Sequence, residues 1–102
     1  MITYFKSSIP KKTQAQERKL KIAYYDRHGT MCQMPNCREY ASGGIHHIMK
    51  RGRYPNHKHL WHDDNLIGVC LRHHVILEKE PASNQILIDE RGLKDLFTKK
   101  NI

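Results

Sequence analysis

The sequence predicts a small α+β domain, and three observations carry that reading. Its 102 residues suffice for one folded unit and leave no room for a second. Its apolar residues fall into helix-period stretches and two short β-branched runs. All three cysteines, and all but one of the eight histidines, crowd between positions 32 and 74. Hydrophobic residues make up only 38% and the mean hydropathy is −0.75, so the core is thin. A domain this small often leans on a metal or a partner for stability.

The elements follow in order. Residues 1–12 read as an irregular basic arm, because Ser7, Ser8, Ile9 and Pro10 oppose regular structure. Thr13 and Gln16 form the signature of a capping box opening a helix over 13–28, with Gly29 as its stop. Leu20, Ile22, Ala23 and Tyr24 give that helix its apolar face. Cys32 to Cys37 holds Pro35 and Asn36 and reads as a tight knuckle. Ile45 to Met49, introduced by Gly43 and Gly44, reads as a strand. A polar loop from Lys50 to Asp64 leads to a second extended run, Asn65 to Cys70. Leu71 to Glu80 reads as a helix ended by Pro81. The tail over 81–102 reads as a strand from Gln85, then a short helix ending near Lys100.

Charge is uneven. Residues 1–28 carry seven basic and two acidic side chains, and residues 29–62 carry five basic and one acidic, within a formal net charge of +8. Such a basic half suits a polyanion, since each Lys or Arg beside a phosphate releases counterions. It equally suits a solvated basic surface. No apolar run approaches the ~20 residues that span a bilayer, so no membrane partner is expected. Met1 to Lys6 lacks the apolar stretch of a secretory signal, which leaves a cytoplasmic expectation, in which three cysteines argue for thiols rather than disulfides.

Cys32-x4-Cys37 and Cys70-x2-His73 form two short chelating pairs with 32 residues between them. Zinc takes four tetrahedral ligands of sulfur and nitrogen type, and a short spacing lets one turn present two of them. A structural zinc here would tie the knuckle to the opening turn of the last long helix and contribute to folding. His73 has the better spacing from Cys70; its neighbour His74 is the alternative fourth ligand. Adjacent helical residues diverge by about 100°, so one of the two can face the zinc and the other a second site.

The remaining signal is His46, His47, Asn65 and His74. Phosphodiester hydrolysis needs a base for water, which a neutral histidine supplies, and a divalent metal to polarise the phosphate. The run Gly44-Ile45-His46-His47-Ile48, then Asp64-Asn65-Leu66-Ile67-Gly68-Val69-Cys70 and His73-His74, together with the knuckle, resembles the HNH, or ββα-metal, endonuclease superfamily. It is most similar to the zinc-knuckle subgroup found among restriction, phage-encoded and homing-type nucleases. The resemblance covers about residues 29–80. It implies a small ββα-metal core with a Cys3His zinc site, preceded by the N-terminal helix.

Carried over residue by residue, the resemblance implies His47 as general base and Asn65 as the amide that holds it. His46 and His74 would be ligands of a catalytic Mg, Mn, Ni or Zn ion. Most members of the subgroup have Cys-x2-Cys-His where this chain has Cys70-x2-His73-His74. Glu78, four residues beyond His74 on the same helical face, is a candidate extra ligand, against the ordinary reading of a surface carboxylate. His46 and His47 are neighbours, and strand neighbours point to opposite faces. They can serve one site only if the strand ends or distorts there.

The implied function is a DNA endonuclease or nickase acting on double-stranded DNA, with Lys50, Arg51 and Arg53 as phosphate contacts. A homodimer or a larger nucleoprotein complex is left open. Two other readings stand beside it: a non-catalytic nucleic-acid-binding zinc module, and a zinc-stapled adaptor for another protein. Trp61 reads as a core anchor rather than a base-stacking platform, and His57, His59 and His62 as polar loop residues.

Overall fold

The computed structural model of the chain describes residues 12–55 and 57–98. The basic arm expected over 1–12 lies outside the described residues, except for Lys12, which is exposed. The element order is α1 (Gln14–His28), β1 (Gly44–His47), a 3-10 turn (Asp63–Asn65), β2 (Leu66–Val69), α2 (Leu71–Lys79), α3 (Pro81–Glu90) and α4 (Leu93–Thr98). No described helix is long and apolar enough to cross a membrane.

Helix α1 opens on a reciprocal capping box. Thr13 Oγ1 accepts from the Gln16 N–H at 3.1 Å, while Gln16 Oε1 accepts from the Thr13 N–H at 2.8 Å. It ends at Gly29, whose φ of 83° is cheap only without a Cβ. Tyr24 is its one buried residue, and its hydroxyl donates to Gln33 Oε1 at 2.5 Å. Ile22 is 54% exposed, so it does not belong to the apolar face expected from the sequence. The helix is instead held at its C-terminal end by polar contacts. Arg27 forks onto Asp63 at 2.9 and 2.6 Å, and His28 Nε2 lies 2.9 Å from the same carboxylate.

The knuckle is closed by a Met31–Tyr40 bridge and turns through Asn36, whose φ is 62°. Strands β1 and β2 pair antiparallel, with Gly44 opposite Val69 and His47 opposite Leu66. A two-stranded sheet is marginal alone and needs a covering layer. Every residue of β2 is buried, as its continuous apolar run requires. Helix α2 then starts at once, its N-terminus capped by Cys70, whose Sγ accepts from the His73 N–H.

The C-terminal segment corrects the expectation of a tail. Pro81 ends α2 but also opens α3, because a proline at the first helical position gives up no helix bond. Gln85 to Ile88 looked extended for its two isoleucines, yet Ile86 is 56% exposed while Asn84 and Leu87, one helical turn apart, are buried. Gly92, at φ 62°, makes the corner into α4. Leu87, Leu93 and Phe97 join Ile48, Ile67, Val69 and Leu77 in one core. Helix α2 packs on both strands, and α3 and α4 extend that covering layer, α3 against α2 and α4 against α3.

Candidate metal centre

Among the described residues, two clusters of ligand-type side chains meet around α2. The first is Cys32, Cys37, Cys70 and His73, whose donor atoms all lie within 4.8 Å of one another. Cys32 Sγ and Cys70 Sγ are 3.5 and 3.3 Å from His73 Nδ1, and Cys37 Sγ is 4.0 Å from Cys70 Sγ. Zinc–sulfur and zinc–nitrogen bonds of ordinary length place tetrahedral ligands about 3.8 Å (S to S) and about 3.6 Å (S to N) apart. The donor set and its spacing therefore fit a structural metal such as zinc. All three cysteines are free thiols. The His73 N–H at the start of α2 outweighs burial, which opposes ionisation, and holds the Cys70 thiol below its usual range, toward the thiolate that a metal needs. Of the two candidate fourth ligands, His73 is the one beside the sulfurs.

His74 diverges from His73 as helical neighbours must. Its Nδ1–H donates to the Gly43 carbonyl at 2.7 Å, and its Nε2 lies 3.4 Å from Glu78 Oε2. His46 Nδ1 lies 3.2 Å from that same oxygen, and the His46 and His74 rings are 5.3 Å apart between centroids. His46, His74 and Glu78 thus form the second cluster. His46 is 1% exposed, and its Nδ1 is a buried nitrogen with no hydrogen-bond partner. Buried polar atoms are rarely left so. Burial pushes the His46 pKa down, so the ring is held neutral. Burial opposes ionisation of Glu78, but the Lys50 ammonium, 2.8 Å from Oε1, outweighs it and holds the carboxyl below its usual range. A neutral nitrogen facing a carboxylate oxygen is the environment that a cation relieves. Glu78 thus stands where it could share a metal ion with His46 and His74.

Strand β1 stops at His47, and the two neighbouring rings have separate partners: His46 faces Asn84 and Glu78, whereas His47 faces Leu60 and Trp61. His47 Nδ1–H donates to the Leu60 carbonyl at 3.0 Å, leaving Nε2 as the free lone pair. Burial lowers its pKa to about 4. Its ring lines an open pocket of about 380 Å³ together with Ile45, Lys50, Arg51, Gly52, His74 and Glu78. A larger and more open groove, about 620 Å³ and lined by Glu39, Ser42, Leu71, Arg72, Val75 and Ile76, holds neither histidine cluster.

Asn65 is fully buried, and its side-chain hydrogen bonds go to Leu60 and Met49 and not to His47. Its Nδ2 donates to the Leu60 and Met49 carbonyls at 3.0 and 3.3 Å, and its Oδ1 accepts from the Met49 N–H at 2.6 Å. It thereby fixes the carbonyl that orients the His47 ring. Trp61 is half-buried and stands edge-on to His47, with centroids 4.7 Å apart, so it walls the ring instead of anchoring the core. Arg51 lies 5.8 Å over Trp61 and pairs with Glu17 of α1 at 2.7 Å; Arg53 is exposed. His57 stacks on Phe97 at 4.4 Å and its Nε2–H donates to the Phe97 carbonyl, which ties the loop to α4. Neither His57, His59 nor His62 joins a ligand cluster among the described residues.

Besides the Leu60 carbonyl behind His47, two further participants have no signal in the sequence. The Gly43 carbonyl is a main-chain atom, and Asn84 reaches His46 across 38 positions. Compared with known protein families, curated proteins and solved structures, the chain matches none. Among the described residues, fold and site together define a small α+β protein with a two-stranded antiparallel sheet, four helices and a Cys3His cluster.

Proposed function

We propose that this chain is a metal-dependent endonuclease or nickase of the HNH type, hydrolysing phosphodiester bonds in double-stranded DNA. The observation that supports this best is the meeting of His46 Nδ1, His74 Nε2 and Glu78 Oε2 beside a pocket that His47 lines. A divalent ion held by those three residues would polarise a phosphate oxygen and neutralise the leaving group. His47 is the general base. Its Nδ1 is engaged by the Leu60 carbonyl, so a proton drawn from water goes to Nε2. The burial that keeps the ring in its base form also weakens it as a base, and a substrate phosphate in the pocket raises its pKa back toward neutrality. Asn65 is a positioning residue that acts through Leu60. Lys50 and Arg51 at the pocket, with Arg53 beyond it, meet the DNA backbone. Cys32, Cys37, Cys70 and His73 would hold a structural zinc, which would lock the knuckle to α2.

A non-catalytic nucleic-acid-binding zinc module would use the basic surface and the Cys3His cluster. It has no use for the second cluster or for the oriented His47, which is why the enzyme is favoured. Plasmid relaxation with added Mg, Mn or Ni tests the choice. Nicking that EDTA abolishes is expected, and His47→Ala, still folded by circular dichroism, is expected to lose about 100- to 10,000-fold of the rate. Undiminished cleavage by that variant removes His47 as the base. Salt-sensitive DNA binding without cleavage under any metal selects the binding module instead.

A further inference from the structure

We infer that Asn84 of α3 is a positioning residue for the second cluster: its side-chain carbonyl sets the His46 tautomer so that Nδ1 presents a lone pair to Glu78 and His74. The inference rests on reading that cluster as a divalent-metal site. Asn84 is 7% exposed, and both ends of its amide are engaged. Its Nδ2 donates to the Ile48 carbonyl at 3.0 Å. A carbonyl only accepts, so the amide has one orientation, and Oδ1 is the atom 2.9 Å from His46 Nε2. An amide oxygen also only accepts. Nε2 must therefore carry the ring proton, and Nδ1 is left bare.

The bare nitrogen faces Glu78 Oε2 at 3.2 Å, with no donor to satisfy it. Left to itself, a buried neutral ring in this place would move its proton to Nδ1 and donate it to the carboxylate. That would close the gap a cation needs. Asn84 opposes the move, because the same transfer would leave Nε2 and Oδ1 as two acceptors in contact. His74 receives equivalent treatment from Gly43, whose carbonyl holds the proton on Nδ1 and frees Nε2. Both histidines are thus held with their bare nitrogens toward one carboxylate oxygen. Partners behind metal-binding histidines set tautomer and ring direction in this way, and their loss typically costs about 10- to 100-fold in affinity.

The test uses the full chain carrying zinc in its Cys3His site. Binding of Mn2+, a hard ion that avoids thiolates, is followed by the EPR signal of free Mn2+. The tautomer of His46 is read by two-bond 1H–15N correlation before Mn2+ is added. The wild type is expected to show the Nε2–H form. Asn84→Leu, of similar volume, is expected to populate the Nδ1–H form and bind Mn2+ about 10- to 100-fold more weakly. Asn84→Asp keeps the acceptor and is expected to preserve the Nε2–H form even though it loses the bond to Ile48. An Nδ1–H ring in the wild type overturns the inference, as does an Asn84→Leu protein with wild-type tautomer and affinity. If Asn84→Leu fails to fold, loss of the Nε2–H form in Asn84→Asp overturns it. His46→Ala separates the two levels. Undiminished Mn2+ binding there refutes the metal reading and this inference with it, whereas weakened binding there beside normal binding in Asn84→Leu refutes only the role of Asn84.

Discussion

Consider Gly43→Ala, which probes how closely the turn leading into β1 is pressed onto the start of α2. A Cβ built on Gly43 would stand 2.7 Å from the Cys70 carbonyl oxygen, and 2.9 Å from both the Cys70 carbonyl carbon and Leu71 Cα. All three neighbours are main-chain atoms, so no rotamer change can make room. Ordinary contact begins near 3.4 Å, which leaves the new methyl about 0.7 Å too close. Both sides are also tethered. The Gly43 N–H donates to the Val69 carbonyl at 2.9 Å, and the Gly43 carbonyl accepts from His74. The cost should thus fall at the upper end of overpacking, about 3 kcal/mol. For a chain of this size that corresponds to a melting temperature lower by roughly 12–24 °C at fixed free zinc. Urea unfolding of the zinc-saturated protein, followed by Trp61 fluorescence, measures it. Gly52→Ala is the control, since a Cβ there meets nothing within 4 Å. That variant should match the wild type or be slightly more stable. A Gly43→Ala protein within about 0.5 kcal/mol of the wild type would refute the close approach of Gly43 to the start of α2.

Two further outcomes are expected. Stripping the Cys3His cluster of metal with a strong chelator should unfold the chain, seen as loss of far-ultraviolet circular dichroism, because so thin a core relies on the cross-link; Cys37→Ala should resemble the chelated protein, and a fully structured metal-free chain would contradict this. His47 should give neutral-ring NMR shifts at pH 6 and titrate near pH 4. The unfolded ring titrates near pH 6.5, so the unfolded state binds the proton more readily; His47 therefore costs no stability above that pH and subtracts from it as the pH falls from about 6.5 to 4. A midpoint between 6 and 7 would mean the ring is not desolvated.

What the sequence made legible were contacts between near neighbours and patterns with a strict period. The spacings Cys32-x4-Cys37 and Cys70-x2-His73 each deliver two ligands from one turn, so the cluster could be assembled from two local pieces. Thr13 and Gln16 cap each other within one helical turn, and β2 declared itself by an unbroken apolar run. The failures are equally physical. The run Gln85 to Ile88 has strand-like composition, but burial of Asn84 and Leu87 against the sheet decides for a helix. Ile22 lies outside the buried stripe because α1 is fastened by Tyr24, Arg27 and His28. Asn84 was invisible because its two partners, His46 and Ile48, lie in β1 and just after it, far upstream in the chain.

The ring of His47 takes its bearing from the oxygen of Leu60, an atom present whatever amino acid occupies position 60. No point substitution can delete it. Exchange at position 60 can only move it, and the two donors of Asn65 and His47 that share it pull against such movement. Fragility is thereby shifted from the residue that supplies the acceptor to the residue that steadies the turn. A survey of carboxylates beside His47 would overlook the arrangement, since the stabilising partner here is encoded by chain path and not by a letter of the sequence.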